Sequence, residues 1–86
     1  MYDLCIVGGA GHVGLPLALV FAKTGLKVHI YDINQTSLDT ISSGIMPFME
    51  SGAEELLSEV LADGNLTMSA DVSDVSKASR VILTIG

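Results

Sequence analysis

Basic residues are scarce in this 86-residue chain: Lys23, Lys27, Lys77 and Arg80 are the full set, against ten acids, for a formal net charge of −6 at pH 7. Four scattered cations make no stripe that could neutralise a phosphate backbone, which excludes nucleic acid as a partner. Cys5 is the one cysteine, so no internal disulfide can form, and the chain suits a reducing compartment. Set inside an apolar run, Cys5 reads as a small buried hydrophobe rather than a nucleophile. No His, Cys, Asp and Glu cluster has metal-ligand spacing. Repeats, low-complexity tracts and linkers are also missing. The run from Leu4 to Ala22 is apolar, but it opens on Asp3 instead of a basic region, and four glycines, His12 and Pro16 interrupt it. That pattern excludes a signal peptide or a membrane span and leaves a buried strand, turn and helix, in a soluble cytoplasmic protein.

What is abundant is apolar surface. Hydrophobic residues make up 49% of the chain, and the mean hydropathy is +0.55. A domain of this size buries only roughly 60–65% of its unfolded surface. So rich a composition in so small a unit is the first sign of a slice of a larger protein, whose other parts cover its sheet.

The most informative segment is Gly9-Ala10-Gly11-His12-Val13-Gly14, which comes directly after the apolar run Leu4-Cys5-Ile6-Val7 and Gly8. A second apolar run, Lys27 to Tyr31, ends at Asp32, 18 residues beyond Gly14. Strand, glycine turn, helix, strand and acid together form a dinucleotide-binding fingerprint. Gly9 is expected to make the tight turn, Gly11 to let backbone approach a pyrophosphate, and Gly14 to let the helix lie close on the sheet. The free N–H groups of the helix start, His12 and Val13 among them, would hold the pyrophosphate. Asp32 would accept ribose hydroxyls and repel a 2′-phosphate, which selects NAD over NADP.

Periodicity places the remaining elements. A helix is expected over about His12 to Thr24, with Val13, Leu17, Val20 and Phe21 as its buried stripe and Gly25 closing it. Asn34 is the expected N-cap of a helix carrying Leu38 and Ile41 and ending at Gly44. Ser51-Gly52-Ala53-Glu54 reads as a capping box opening a helix with Leu56, Leu57, Val60 and Leu61 on its apolar side. Leu66 to Ser69 is a short third strand, and Asp71 caps a short helix with Val72, Val75 and Ala78. Val81 to Ile85 is the fourth strand. Right-handed crossovers then predict an α/β fold: a partial Rossmann-type, doubly wound parallel sheet of four strands in the order 3-2-1-4. The binding crevice would open between the tips of strands one and four, where the glycine loop meets Ile85 and Gly86. A fourth strand with an unpaired apolar edge, ending on the rim of its own site, again suggests a fragment.

With these residues in place, the sequence resembles the amino-terminal NAD-binding region of the UDP-glucose/GDP-mannose dehydrogenase family. The resemblance rests on Ile6-Val7-Gly8-Gly9-Ala10-Gly11-His12-Val13-Gly14-Leu15-Pro16-Leu17-Ala18, on Asp32-Ile33-Asn34, and on Ser43-Gly44 with the segment Pro47 through Leu57. Leu66-Thr67 and Asp71 continue it, so that it covers the whole chain, read as one NAD-binding domain over residues 1–86. It implies NAD as cofactor, contacted at Val13 and Asp32, and a parent enzyme that oxidises C6 of a nucleotide sugar from alcohol through aldehyde to carboxylate. The glycine loop with Met46-Pro47-Phe48 is most similar to UDP-N-acetylmannosamine dehydrogenases. The family's catalytic residues would all lie beyond Gly86, so the resemblance implies no turnover by these residues alone, a nucleotide-sugar substrate held mainly by other domains, and a homo-oligomer at full length. Two alternatives compete: another β-hydroxyacid-type dehydrogenase, of the 6-phosphogluconate or 3-hydroxyacyl-CoA type, and a non-enzymatic nucleotide-sensing module. The string Val13 to Ala18 and the segment Pro47 to Leu57 argue against the first.

Other polar residues have plainer expectations. His29 is packed or capped within its strand, Tyr31 belongs to the core or surface, and Glu54, Glu55, Glu59 and Asp63 form a solvated helix face. Met46, Phe48 and Met49 provide lid or core packing, and Glu50 is a solvated loop acid.

Overall fold

The structure, a computed structural model, describes residues 1–84. In chain order it contains β1 (Tyr2–Val7), α1 (Gly14–Lys23), β2 (Val28–Tyr31), α2 (Gln35–Ser42), α3 (Ala53–Ala62), β3 (Leu66–Ser69), a 3₁₀ helix (Val72–Lys77) and β4 (Ala78–Leu83). All three strand pairings are parallel and the order is β3-β2-β1-β4, the expected topology. Cys5 lies opposite His29 on one side and Val81 on the other, and His29 lies opposite Thr67. This register sorts side chains by alternation. Leu4, Ile6, Val28, Ile30 and Leu66 join one apolar core with the three α-helices, while Cys5, His29 and Thr67 belong to the opposite face.

The helix faces differ from the expected ones in an instructive way. α1 buries Gly14, Leu15, Ala18, Leu19 and Ala22, whereas Val13 and Val20 are more than half exposed and Leu17 and Phe21 only flank the core. The sequence Leu15 to Ala22 is apolar all round, so several stripes at helical spacing were available. The close approach of Gly14 to the strand end decides between them. Pro16, the third residue of α1, costs one bond of the first turn, between Leu15 N→Gly11 O and Leu17 N→Val13 O. Gly25, with φ +100°, comes after the Thr24 cap and donates to Ala22 O at 3.1 Å, as a helix-closing glycine should.

Asn34 caps α2 as expected, its side chain accepting from Ser37 N at 3.1 Å, with Leu38 and Ile41 buried. The capping box at Ser51 does not form. α3 starts one residue later than that motif requires, with Gly52 as its N-cap in the left-handed region and no side-chain cap. The helix still buries Leu57 and Val60, with Leu56 and Leu61 at the margin. Asp71 does act as a cap, accepting from Ser73 N at 3.0 Å, but the element it opens is a 3₁₀ helix that buries none of its residues. Ala78 belongs to β4, which begins three residues before the expected Val81 and stops at Leu83.

The face away from the α-helices is polar at its centre. His29, 2% exposed, has Nδ1 2.7 Å from Thr67 Oγ1 and Nε2 2.9 Å from Ser69 Oγ, and Tyr2 stacks on its ring. The Ser69 hydroxyl donates to Asp74 at 2.7 Å, and Asp74 accepts in turn from Lys77 at 2.8 Å. The network ties the 3₁₀ helix to the sheet. Beyond it, Val81 and Leu83 are exposed on the same face.

Candidate functional site

The site is built where β1 ends and the chain must turn into α1. Gly8 has φ +82°, a left-handed conformation that falls to glycine. A Cβ there would also lie 2.6 Å from Thr84 Oγ1. The conformational demand of the tight turn thus rests on Gly8, one residue before the Gly9 expected to bear it. Gly9 is needed for packing instead, since a Cβ would come within 2.7 Å of the Ile30 side chain. Gly14 behaves as expected: a Cβ would meet Gly8 O at 2.5 Å and Gly9 Cα at 2.8 Å. The helix start is therefore laid directly on the strand end.

Gly11 differs from its neighbours. A Cβ there would meet Gly8 O at 3.3 Å and nothing else within 4 Å, so its missing side chain leaves open space on the outer side of the loop. The backbone around it is only partly spent. Gly11 N donates to Gly8 O, and Leu15 N to Gly11 O, both at 3.0 Å. Among the described residues, the N–H groups of His12, Val13 and Gly14 have no acceptor, and Val13, the N-cap of α1, offers no side-chain cap. Three successive unpaired donors at the positive end of a helix, beside a position kept clear by glycine, fit a diphosphate.

Asp32 closes the other side. Its Oδ2 accepts from Ala10 N at 3.1 Å and its Oδ1 from Asn34 N at 3.0 Å. The acid therefore faces the glycine loop, and two backbone amides fix its plane. A carboxylate has about four acceptor positions, so two remain for ribose hydroxyls. The strand tip that carries it is held as well, with Asp32 N donating to Ser69 O at 3.3 Å. The residues present thus fit a dinucleotide: donors for the diphosphate, acceptors for the sugar, and a negative charge where a 2′-phosphate would have to sit.

The loop, the start of α1 and Asp32 thus come together, with Gly9, Gly11, His12, Val13 and Gly14 along one curve. Ile85 and Gly86, the expected facing rim, lie outside the described residues. The chain does come back to the loop just before them, where Thr84 N donates to Val7 O at 3.0 Å and Thr84 Oγ1 to the same oxygen at 2.8 Å. Sequence reasoning missed the parts played by Gly8, Ala10 and Thr84. A fourth glycine ahead of the motif was a visible signal for Gly8; nothing in the sequence marks the Ala10 amide as the partner of Asp32.

A second set of contacts lies over the loop. His12 stacks on Phe48, ring centroids 4.2 Å apart and planes 22° from parallel. Met46 is buried in the core, whereas Met49 is fully exposed and Glu50 is a surface acid, as expected. Cys5 is buried and unpaired, and burial pushes its thiol above the ordinary range, which suits packing and not nucleophilic chemistry. No group of three metal-ligating side chains occurs among the described residues, and no helix among them is long and apolar enough to cross a membrane.

Comparison with known proteins points the same way. The model of the UDP-glucose/GDP-mannose dehydrogenase family, NAD binding domain, matches residues 2–86. A UDP-N-acetyl-D-mannosamine dehydrogenase of Pyrococcus horikoshii is 34% identical over 77 residues, 90% of this chain and 18% of that protein. A UDP-glucose 6-dehydrogenase of Bacillus subtilis is 32% identical over 74 residues, 86% of this chain and 16% of its own length. Among solved structures, a ternary complex of GDP-mannose dehydrogenase from Pseudomonas aeruginosa superposes with a TM-score of 0.92 at 27% identity, covering 98% of this chain and 19% of that one. The chain spans less than a fifth of the length of these relatives.

Proposed function

The chain belongs to the UDP-glucose/GDP-mannose dehydrogenase family, in its NAD-binding domain, and from that premise we propose that it is the amino-terminal part of a larger enzyme that oxidises a nucleotide sugar. When bound, NAD would supply the hydride acceptor for oxidation of C6 from alcohol through aldehyde to carboxylate, two being reduced per product. The substrate is a UDP-sugar by analogy with the two sequence relatives named above, a UDP-N-acetyl-D-mannosamine dehydrogenase and a UDP-glucose 6-dehydrogenase.

The contribution of this chain is to hold and orient. The N–H groups of His12, Val13 and Gly14 receive the diphosphate, and the remaining lone pairs of Asp32 receive the adenosine ribose. Asp32 also excludes a 2′-phosphate by like charge, which makes the domain selective for NAD over NADP. Gly11 lets backbone approach the ligand, Gly9 lets the loop lie against Ile30, and Ile85 and Gly86 are assigned cofactor contacts from the sequence. No residue from 1 to 86 is assigned the chemistry at C6, so the chain by itself turns nothing over.

One observation carries the reading: three amides at the start of α1 with no acceptor among the described residues stand next to an amide, that of Ala10, which is already bonded to Asp32. Diphosphate and ribose subsites are thereby one connected unit. Calorimetric titration tests it. NAD is expected to bind more tightly than NADP, and Asp32→Ala to weaken NAD and narrow the gap. Equal affinity of the unaltered chain for both cofactors would remove Asp32 from its assigned role.

A further inference from the structure

We infer that His12 is a positioning residue: its ring, stacked on Phe48, holds the glycine loop in the shape that presents the free amides of residues 12–14. The inference rests on the reading of that loop as the diphosphate cradle.

Four of the seven residues from Gly8 to Gly14 are glycine, and glycine backbone has the most freedom to lose on ordering. A loop built this way needs anchors, or its donors will not stay aligned. Ala10 supplies one, through its amide to Asp32 at 3.1 Å. That bond lies on the strand side of Gly11. Beyond Gly11 the side chains before α1 are those of His12 and Val13, and Val13 is 58% exposed. His12 is the one with an aromatic partner, 4.2 Å away.

The partner is itself anchored. Phe48 packs against the hydrophobic core, two residues after the buried Met46. The segment 45–52, which has neither helix nor strand, is thus fastened at its centre and offers a flat apolar ring to the loop. The stack reaches the core through Phe48, so ordering passes from the core to His12 and then to the N–H groups of His12 and Val13.

This assigns a cofactor effect to Phe48, which is 36 residues from His12 in sequence and has no part in the cradle. The test measures NAD affinity by calorimetry for the full chain and for Phe48→Ala, His12→Ala, the double variant and His12→Phe. It also measures backbone order parameters at residues 11–13 without ligand, by ¹⁵N relaxation. Loss of the aromatic pair is expected to weaken NAD about threefold to tenfold in either single variant. The double variant should be no weaker than the singles, and His12→Phe should restore binding, because the ring and not its protonation does the holding. Order at 11–13 should fall in both alanine variants and recover in His12→Phe.

Unchanged affinity and loop order in His12→Ala, whose exposed ring the fold does not need, would overturn the inference. So would a double variant whose loss is the product of the two single losses. If the unaltered chain fails to bind NAD, the proposed function falls, while the order parameters still decide whether the stack holds the loop.

Discussion

The two faces of the sheet solve the same problem by different physics. Under the α-helices, Leu4, Ile6, Val28, Ile30 and Leu66 meet Leu15, Leu19, Leu38 and Leu57 in a dry core, held by burial that is large and indifferent to direction. On the other face, His29 is nearly as buried, but its contacts are hydrogen bonds with one workable assignment. Asp74, whose carboxyl is held below its ordinary range chiefly by Lys77 and Ser69, can only accept. The Ser69 proton is therefore spent on Asp74, so His29 must donate to Ser69 from Nε2 and accept at Nδ1 from Thr67. Apolar contacts hold the layers together; the polar chain fixes where the short crossover lies and, through Ser69, supports the tip that carries Asp32.

The comparison can be broken most severely on the dry face. Leu57→Ala removes a fully buried side chain and should cost about 2–5 kcal/mol in urea unfolding. A loss below that of His29→Gln would show that the polar face, not the apolar core, dominates stability. Gly14→Ala comes next, because the new methyl meets backbone on both sides. It should cost about 1–3 kcal/mol and lower NAD affinity, whereas unchanged binding would mean that the helix start can move away freely.

The pH dependence sharpens the contrast. Burial is the largest influence on His29 and pushes its pKa below the usual 6.5, the Asp74 charge opposing and the Lys77 charge adding to it. The unfolded chain therefore binds a proton near pH 6.5 that the folded chain refuses until lower pH. Between those values the unfolded state holds more protons, so stability rises with pH and is lost as pH falls through the window. Denaturation midpoints at successive pH values should show this slope in the unaltered chain and lose it in His29→Gln. A slope that survives the substitution would place its origin elsewhere. The smallest effect belongs to the surface: Lys23 and Glu59 pair at 2.7 Å with both side chains more than half exposed, and Glu59→Gln should leave the melting temperature unresolved from that of the unaltered chain.

Legibility in the sequence divided along similar lines. Topology was readable because alternation of strand and helix, with crossovers of fixed hand, leaves few arrangements. The meeting of glycine loop and acid was readable because Gly9, Gly11, Gly14 and Asp32 stand at set distances along the chain. Helix faces were less so: Val13 and Val20 fitted the helical period as well as Leu15 and Ala18 did. Ser51 had the right spacing for a capping box, yet Gly52 took the cap. Such a motif records what local chemistry permits; α3 starts after Gly52 and buries Ala53, Leu57 and Val60.

By itself, then, the sequence determined which segments are strands and helices, that the strands run parallel in one order, and that a glycine turn and an acid meet at one edge. These come from short-range periodicity and from steric rules that act within a few residues. Only the tertiary structure decided which side of α1 is buried, that Gly8 takes the left-handed conformation, that Ala10 binds Asp32 and that Phe48 lies against His12. Each of those depends on groups brought together by folding, and a contact between distant residues leaves no periodic mark in the chain that makes it.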